Sequence, residues 1–109
     1  MKNFSENVRR KIFMITGGKC FYCGCDLNFD NFQVDHYKPK SNNGIDSKNR
    51  VPACSDCNLI KSNKNIDEFR ETIENYLENE IHVRMINKHL GVKKREVSFY
   101  FERNDFELF

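Results

Sequence analysis

Residues 34–61, which read VDHYKPKSNNGIDSKNRVPACSDCNLIK, decide the fold of this chain. The stretch contains an Asp-His pair, an isolated Asn before a short apolar run, a Cys-x-x-Cys pair, and an Asn and a Lys directly beyond it. Few structural requirements explain that combination within so short a segment. These polar residues are therefore the first candidates for a functional site.

A second Cys-x-x-Cys pair lies upstream, because Cys20 and Cys23 precede Cys54 and Cys57 with thirty residues between the pairs. Two such pairs complete the tetrahedral set of four thiolates that structural zinc prefers. The alternatives are buried free thiols or disulfides, and an odd total of five Cys without a secretory signal disfavours disulfides. We predict that Cys20, Cys23, Cys54 and Cys57 bind zinc. Cys25 is the spare thiol, and it replaces Cys23 only if the turn is wider.

The residues around the second cysteine pair predict a strand, a loop, a strand and a short helix. Residues 32–36 alternate as a strand does, Pro39 stops the run, and Asn-Asn-Gly at residues 42–44 marks a loop. Residues 50–53 predict a second short strand, and residues 56–62 predict the start of a helix. Asn58 and Lys61 share a face of that helix because they are three residues apart. Held at its base by metal, this segment forms a compact ββα unit.

In this order, the residues resemble those of the HNH endonucleases of the ββα-metal type. The matching pattern reads Cys20-x-x-Cys23, Asp35-His36-x-x-Pro39, Gly44, Asn49 and Cys54-x-x-Cys57-Asn58-x-x-Lys61. The resemblance covers about the first sixty residues. Three positions depart from the family pattern. The segment between Gly44 and Asn49 is one residue short, and Asn43-Gly44 stands where Gly-Gly is common. Asn58 stands where other members have His.

The resemblance implies a role for each signature residue. Asp35 and Asn58 bind one catalytic ion, Mg²⁺ or Mn²⁺, cations that prefer oxygen ligands. His36 is the general base, since imidazole titrates near neutral pH. Asn49 orients the loop and the base, although an ordinary loop-to-strand cap is an alternative, and Lys61 contacts the phosphate. The implied reaction is hydrolysis of DNA to 5′-phosphate and 3′-hydroxyl ends, with zinc purely structural.

Helical patterns flank this core on both sides. Ser5 is a plausible N-cap for a helix that ends at Gly17-Gly18, and Asn65 with Glu68 resembles the capping box of a helix that runs from Ile66 to at least Leu77. Residues 81–90 continue the helical pattern less cleanly. Residues 95–102 alternate as a half-buried strand, and residues 106–109 predict a short return strand. The aromatic stripe of this strand is predicted to be core or a subunit interface.

Length predicts one domain, and the predicted helices and strands make its class α+β. The resemblance implies an HNH core over residues 1–64, with a helical and strand extension over residues 65–109. A chain of 109 residues is too short for two independent cores, and no apolar run is long enough for a membrane span, so we expect a cytoplasmic protein. The net charge of +2 is uninformative because zinc-bound thiolates cancel it. Residues 36–64, however, include six basic side chains and only two acidic ones. Taken as a group, the basic side chains could bind phosphates, whereas any one of them alone is as well explained by a solvated loop.

The leading hypothesis is thus a metal-dependent endonuclease that acts on DNA, and we expect the DNA to be double-stranded. A non-catalytic zinc-stapled nucleic-acid-binding module is the alternative, and a protein-interaction adaptor with a vestigial site is a third. Only a nuclease needs Asp35, His36, Asn49 and Asn58 together. Because one such site cuts one strand, a double-strand break requires a homodimer or two visits.

Overall fold

The computed structural model of the protein describes residues 4–39, 48–79, 91–93 and 96–108. In chain order its elements are α1 (Glu6–Ile15), β1 (Gln33–His36), β2 (Arg50–Ala53), α2 (Ser55–Lys61), α3 (Ile66–Glu78), β3 (Gly91–Lys93), β4 (Glu96–Ser98) and a 3-10 helix (Tyr100–Arg103). The predicted α+β class is confirmed. The predicted loop at residues 42–44 and the helical continuation over residues 81–90 lie outside the described residues. None of the helices in the described ranges combines the length and apolar character that crossing a membrane requires.

The ββα unit forms where the sequence predicted it. Strands β1 and β2 pair antiparallel, with Asp35 opposite Val51 and His36 opposite Arg50. Helix α2 follows β2 directly, and its N-cap is Cys54, whose sulfur accepts a hydrogen bond from the backbone N–H of Cys57 at 3.4 Å. A predicted zinc ligand therefore ends the strand pair and also begins the helix.

Helix α1 is tied to the segment that leads into β1. Ser5 caps its first turn as predicted, with its hydroxyl accepting a hydrogen bond from the backbone N–H of Val8 at 3.3 Å. The guanidinium of Arg9 donates to the carbonyl of Phe29 at 2.7 Å and to that of Phe32 at 3.3 Å. These bonds fix the helix against the chain that delivers the first strand.

Helix α3 begins with the predicted capping box. The Asn65 side chain accepts a hydrogen bond from the backbone N–H of Glu68 at 2.8 Å, and the Glu68 carboxylate accepts one from the Asn65 backbone at 3.0 Å. Phe69 and Ile73 on this helix are fully buried. The helix thus supplies one wall of the core.

Aromatic rings dominate that core and connect the first cysteine pair with α3 and with the C-terminal segment. The Tyr22 ring meets Phe69 edge-on at 5.4 Å between centroids, Phe69 stacks on Phe99 at 4.8 Å, and Phe21 stacks on Phe101 at 4.5 Å. The C-terminal aromatic stripe was predicted to be core or a subunit interface, and Val97 and Phe99 of this stripe are buried in the core. The extension therefore shares a hydrophobic core with the cysteine-rich half of the chain.

The predicted strand over residues 95–102 is wrong beyond Ser98, where the chain turns into the 3-10 helix. Two backbone N–H groups there donate to carbonyls between Cys20 and Cys23, from Tyr100 to Tyr22 at 2.7 Å and from Phe101 to Phe21 at 2.9 Å. The return strand predicted over residues 106–109 does not form within residues 106–108, which have no regular secondary structure. Instead, β4 pairs with β3, the segment before it.

Candidate active site and metal centre

Four cysteines meet as their spacing predicted. The sulfur atoms of Cys20, Cys23, Cys54 and Cys57 all lie within 4.8 Å of one another, and three of the four residues are buried. Across the described part of the chain, this is the one group of three or more His, Cys, Asp or Glu side chains that is arranged to hold a metal ion. Cys25 is half-buried and lies outside the group.

The backbone shapes the first cysteine pair into a tight turn. The N–H of Cys20 donates to the carbonyl of Cys25 at 2.8 Å, and Gly24, with a φ of +83°, donates to the carbonyl of Cys20 at 2.9 Å. The Cys20 sulfur also accepts a hydrogen bond from the backbone N–H of Cys54 at 3.4 Å. An N–H group that donates to sulfur stabilises a thiolate, so this last bond favours the charged form of Cys20.

The charge balance of the cluster is compatible with zinc. Hydrogen bonding with the neighbouring sulfur atoms, that of Cys20 first, raises the pKa of both Cys23 and Cys57 above the usual range of a thiol. Four thiols at this spacing do not all ionise without compensation, because each thiolate repels the next. A divalent cation supplies that compensation, and four sulfur ligands in a closed set are the donors that structural zinc takes.

Asp35 is buried between the strand pair and α2, with 7% of its surface exposed. Its Oδ2 atom lies 3.0 Å from the Nζ atom of Lys61 and accepts a hydrogen bond from the Tyr22 hydroxyl at 2.5 Å. Burial, followed by the charge of Asp35, holds the pKa of Tyr22 well above its usual range, so the phenol remains a donor. One carboxylate oxygen thus has two buried donors.

Lys61 is placed differently from a residue that reaches out to a phosphate. It is 1% exposed, and its ammonium donates to the backbone carbonyl of His36 at 2.9 Å in addition to its ion pair with Asp35. Because these bonds join the last turn of α2 to the end of β1, Lys61 fixes the spacing of the two elements. Asn58, half-buried, lies one helical turn earlier on the same helix.

Asn49 holds the segment that follows His36. Its Oδ1 accepts a hydrogen bond from the backbone N–H of Lys38 at 2.7 Å, and its Nδ2 donates to the Lys38 carbonyl at 2.9 Å. Its own carbonyl accepts from the Tyr37 N–H at 2.8 Å, and the residue is 4% exposed. His36 is half-buried at the end of β1, and the two residues that follow it are held in place by Asn49.

Comparison with known proteins places this geometry in a family. The family model for the HNH endonuclease matches residues 20–64. Residues 20–64 thus match the HNH endonuclease family, and we call them the HNH module. A CRISPR-associated endonuclease Cas9 from Actinomyces naeslundii is 34% identical over 58 residues, which is 51% of this chain and 5% of that relative. The chain therefore spans only a small part of the relative's length.

A solved structure supports the fold of the HNH module. The crystal structure of the Type II-C Cas9 enzyme from Actinomyces naeslundii superposes with a TM-score of 0.51 at 23% sequence identity, over 65% of this chain and 9% of that chain. At this identity the likeness shows the fold alone. It confirms the predicted small α+β architecture.

Sequence reasoning missed one residue of the HNH module, Tyr22. The position is visible in the sequence only as the second of two aromatic residues inside the first Cys-x-x-Cys pair. Aromatic residues in such a turn indicate packing, and nothing in the pattern indicates that the hydroxyl reaches Asp35. That contact joins residues 13 positions apart and depends on tertiary packing, which local sequence patterns do not reveal.

Proposed function

We propose that the HNH module hydrolyses phosphodiester bonds of DNA with the help of one divalent ion. The observation that carries this proposal is the double contact of Lys61, which bonds both the Asp35 carboxylate and the His36 backbone carbonyl. This contact holds the end of β1 against α2, the two elements that carry Asp35, His36 and Asn58. The match to a nuclease family and the relative named as an endonuclease support the proposal.

Asp35 and Asn58 are the proposed ligands of the divalent ion. A carboxylate and an amide oxygen are hard donors, which favour Mg²⁺ or Mn²⁺ over metals that prefer sulfur. Two protein ligands leave most of the coordination sphere to water and substrate. When bound, the ion supplies positive charge that stabilises the oxygen on which negative charge develops during hydrolysis.

His36 is the proposed general base. Its imidazole accepts the proton of the attacking water, and the water attacks phosphorus as the bond to the 3′-oxygen breaks. The products are a 5′-phosphate and a 3′-hydroxyl end. Asn49 serves this step indirectly, because its hydrogen bonds to Lys38 and Tyr37 hold the backbone on which His36 sits. The zinc cluster has a structural role in this scheme.

Double-stranded DNA in the cytoplasm is the proposed substrate and setting. None of the five cysteines forms a disulfide, which suits a reducing compartment. One site cuts one strand at a time, so cleavage of both strands by this module requires a homodimer or a second binding event.

A non-catalytic nucleic-acid-binding module is the second candidate, and one observation favours it. The ion pair with Lys61 partly neutralises Asp35, which weakens that carboxylate as a ligand for a cation. A binder would retain the zinc cluster and the basic residues and would have no use for His36.

Plasmid cleavage separates the two candidates. Zinc-loaded protein is incubated with supercoiled plasmid while Mg²⁺ or Mn²⁺ is withheld or added; EDTA is avoided because it also removes zinc. Nicking that depends on the added ion supports the nuclease, whereas retarded plasmid without nicks supports the binder. His36→Ala should abolish cleavage while DNA binding and zinc content are retained. Gln33→Ala, on the same strand but exposed, is the matched control. Cleavage by His36→Ala at the wild-type rate refutes the assignment of the base.

A further inference from the structure

We propose that Tyr22 is a positioning residue for Asp35. Tyr22 and Lys61 both donate to the Oδ2 atom of the Asp35 carboxylate, and this leaves Oδ1 directed at the divalent ion. The inference rests on the proposed function for the identity of the ion. It assigns a second task to the first cysteine pair, which then supplies zinc ligands and also orients the neighbouring site.

The geometry distinguishes the two oxygens of the carboxylate. Oδ2 receives the Tyr22 hydroxyl at 2.5 Å and the Lys61 ammonium at 3.0 Å. Oδ1 has no hydrogen bond or ion pair with any residue in the described ranges. A carboxylate with two fixed donors on one oxygen has lost its freedom to rotate, so the other oxygen has a defined direction.

The phenol itself is held rigidly. Tyr22 is 0% exposed, and its ring meets Phe69 at 5.4 Å and Phe99 at 5.9 Å, both nearly edge-on. Its backbone carbonyl accepts a hydrogen bond from the Tyr100 N–H at 2.7 Å. Packing alone would be satisfied by a phenylalanine, because the hydroxyl adds nothing to these ring contacts. The hydroxyl is therefore the atom whose removal tests the proposal.

Tyr22→Phe removes that atom and keeps the ring. Removing the hydrogen-bond partner of a metal ligand typically weakens metal binding or activity about 10–100-fold. We expect Tyr22→Phe to raise the Mn²⁺ concentration for half-saturation by about that factor while zinc content and circular dichroism stay as in the wild type. Tyr76→Phe is the matched control, since it removes the same atom from α3 and Tyr76 takes part in none of the hydrogen bonds to Asp35.

Binding is measured on zinc-loaded protein without DNA, from the electron paramagnetic resonance signal of free Mn²⁺. Weaker binding in Tyr22→Phe but not in Tyr76→Phe supports the proposal, and equal Mn²⁺ affinity in all three proteins overturns it. If Tyr22→Phe fails to fold, proton NMR of the wild type provides the answer. The buried hydroxyl proton should shift when Mg²⁺ is added, and an unmoved signal overturns the proposal.

The measurement also keeps this inference apart from the proposed function. A wild-type protein that binds Mn²⁺ but leaves plasmid uncut refutes the nuclease and leaves the role of Tyr22 to be decided by the binding comparison. A wild-type protein that cuts plasmid, with Tyr22→Phe equal to it in both Mn²⁺ affinity and rate, refutes the role of Tyr22 alone.

Discussion

Replacing Lys61 by Met removes an ammonium from a buried site and keeps most of the side-chain stem. Lys61 is 1% exposed and Asp35 is 7% exposed, so solvent screens their ion pair only weakly. The substitution leaves the Asp35 carboxylate with one remaining donor, the Tyr22 hydroxyl, and leaves the His36 carbonyl without the bond at 2.9 Å. Removing one partner of a buried ion pair costs about 3–5 kcal/mol. Against a total stability of about 5–15 kcal/mol for a domain, this loss is large.

The assay is equilibrium denaturation of zinc-loaded protein, arranged as a double-mutant cycle with Asp35→Asn. We expect the double variant to be more stable than the sum of the single effects predicts, with a coupling free energy of about 2–3 kcal/mol. Lys64→Met is the matched control, because the Lys64 ammonium donates to the Ile60 carbonyl at 2.9 Å and makes no ion pair among the described residues. Its expected cost is about 1 kcal/mol.

Two results would refute this reasoning. The first is a cost of less than about 1 kcal/mol for Lys61→Met, equal to that of the control. The second is additivity of Lys61→Met and Asp35→Asn within about 0.5 kcal/mol. If stability is unchanged but affinity for DNA falls, Lys61 contacts the phosphate as the family resemblance implied.

Three further perturbations have defined outcomes. Cys57→Ser should prevent folding, because zinc binding contributes on the order of 10 kcal/mol in small zinc domains, and zinc content with circular dichroism measures it. Gly24→Ala places a Cβ 2.6 Å from an aromatic ring at a φ of +83°, whereas Gly17→Ala meets nothing within 4 Å at a φ of +64°. Gly17→Ala should therefore cost about 1–2 kcal/mol from backbone strain alone and Gly24→Ala clearly more, and equal thermal unfolding temperatures would contradict this. Phe99→Ala, at a fully buried position, should cost about 3–5 kcal/mol in denaturant unfolding, and Phe106→Ala, only partly buried, should cost less.

Features that depend on neighbouring residues were predictable from the sequence. Ser5 and Asn65 cap helices through hydrogen bonds to residues three positions on, so their signals lie within one turn of chain. The cluster of four cysteines was predictable for a related reason, since a metal site requires a fixed spacing within each pair. The prediction of the strand that ends at His36 also needed only local alternation.

Features that depend on distant contacts were not predictable. Alternation at Phe99 and Phe101 indicated a strand, but it does not say whether the backbone bonds to another strand or to the cysteine turn, and here it bonds to the turn. The burial of Lys61 was hidden for the same reason. A lysine is normally exposed, and its partner Asp35 lies 26 positions away in the sequence.

The backbone bonds from Tyr100 and Phe101 to the carbonyls of Tyr22 and Phe21 constrain how this protein can be re-engineered. A segment cut at residue 64 would contain every signature residue, yet it would lack two hydrogen-bond donors and an aromatic wall that support the turn between Cys20 and Cys23. Grafting residues 20–64 into a new host therefore requires that the host replace this support, or that the C-terminal segment be transferred as well.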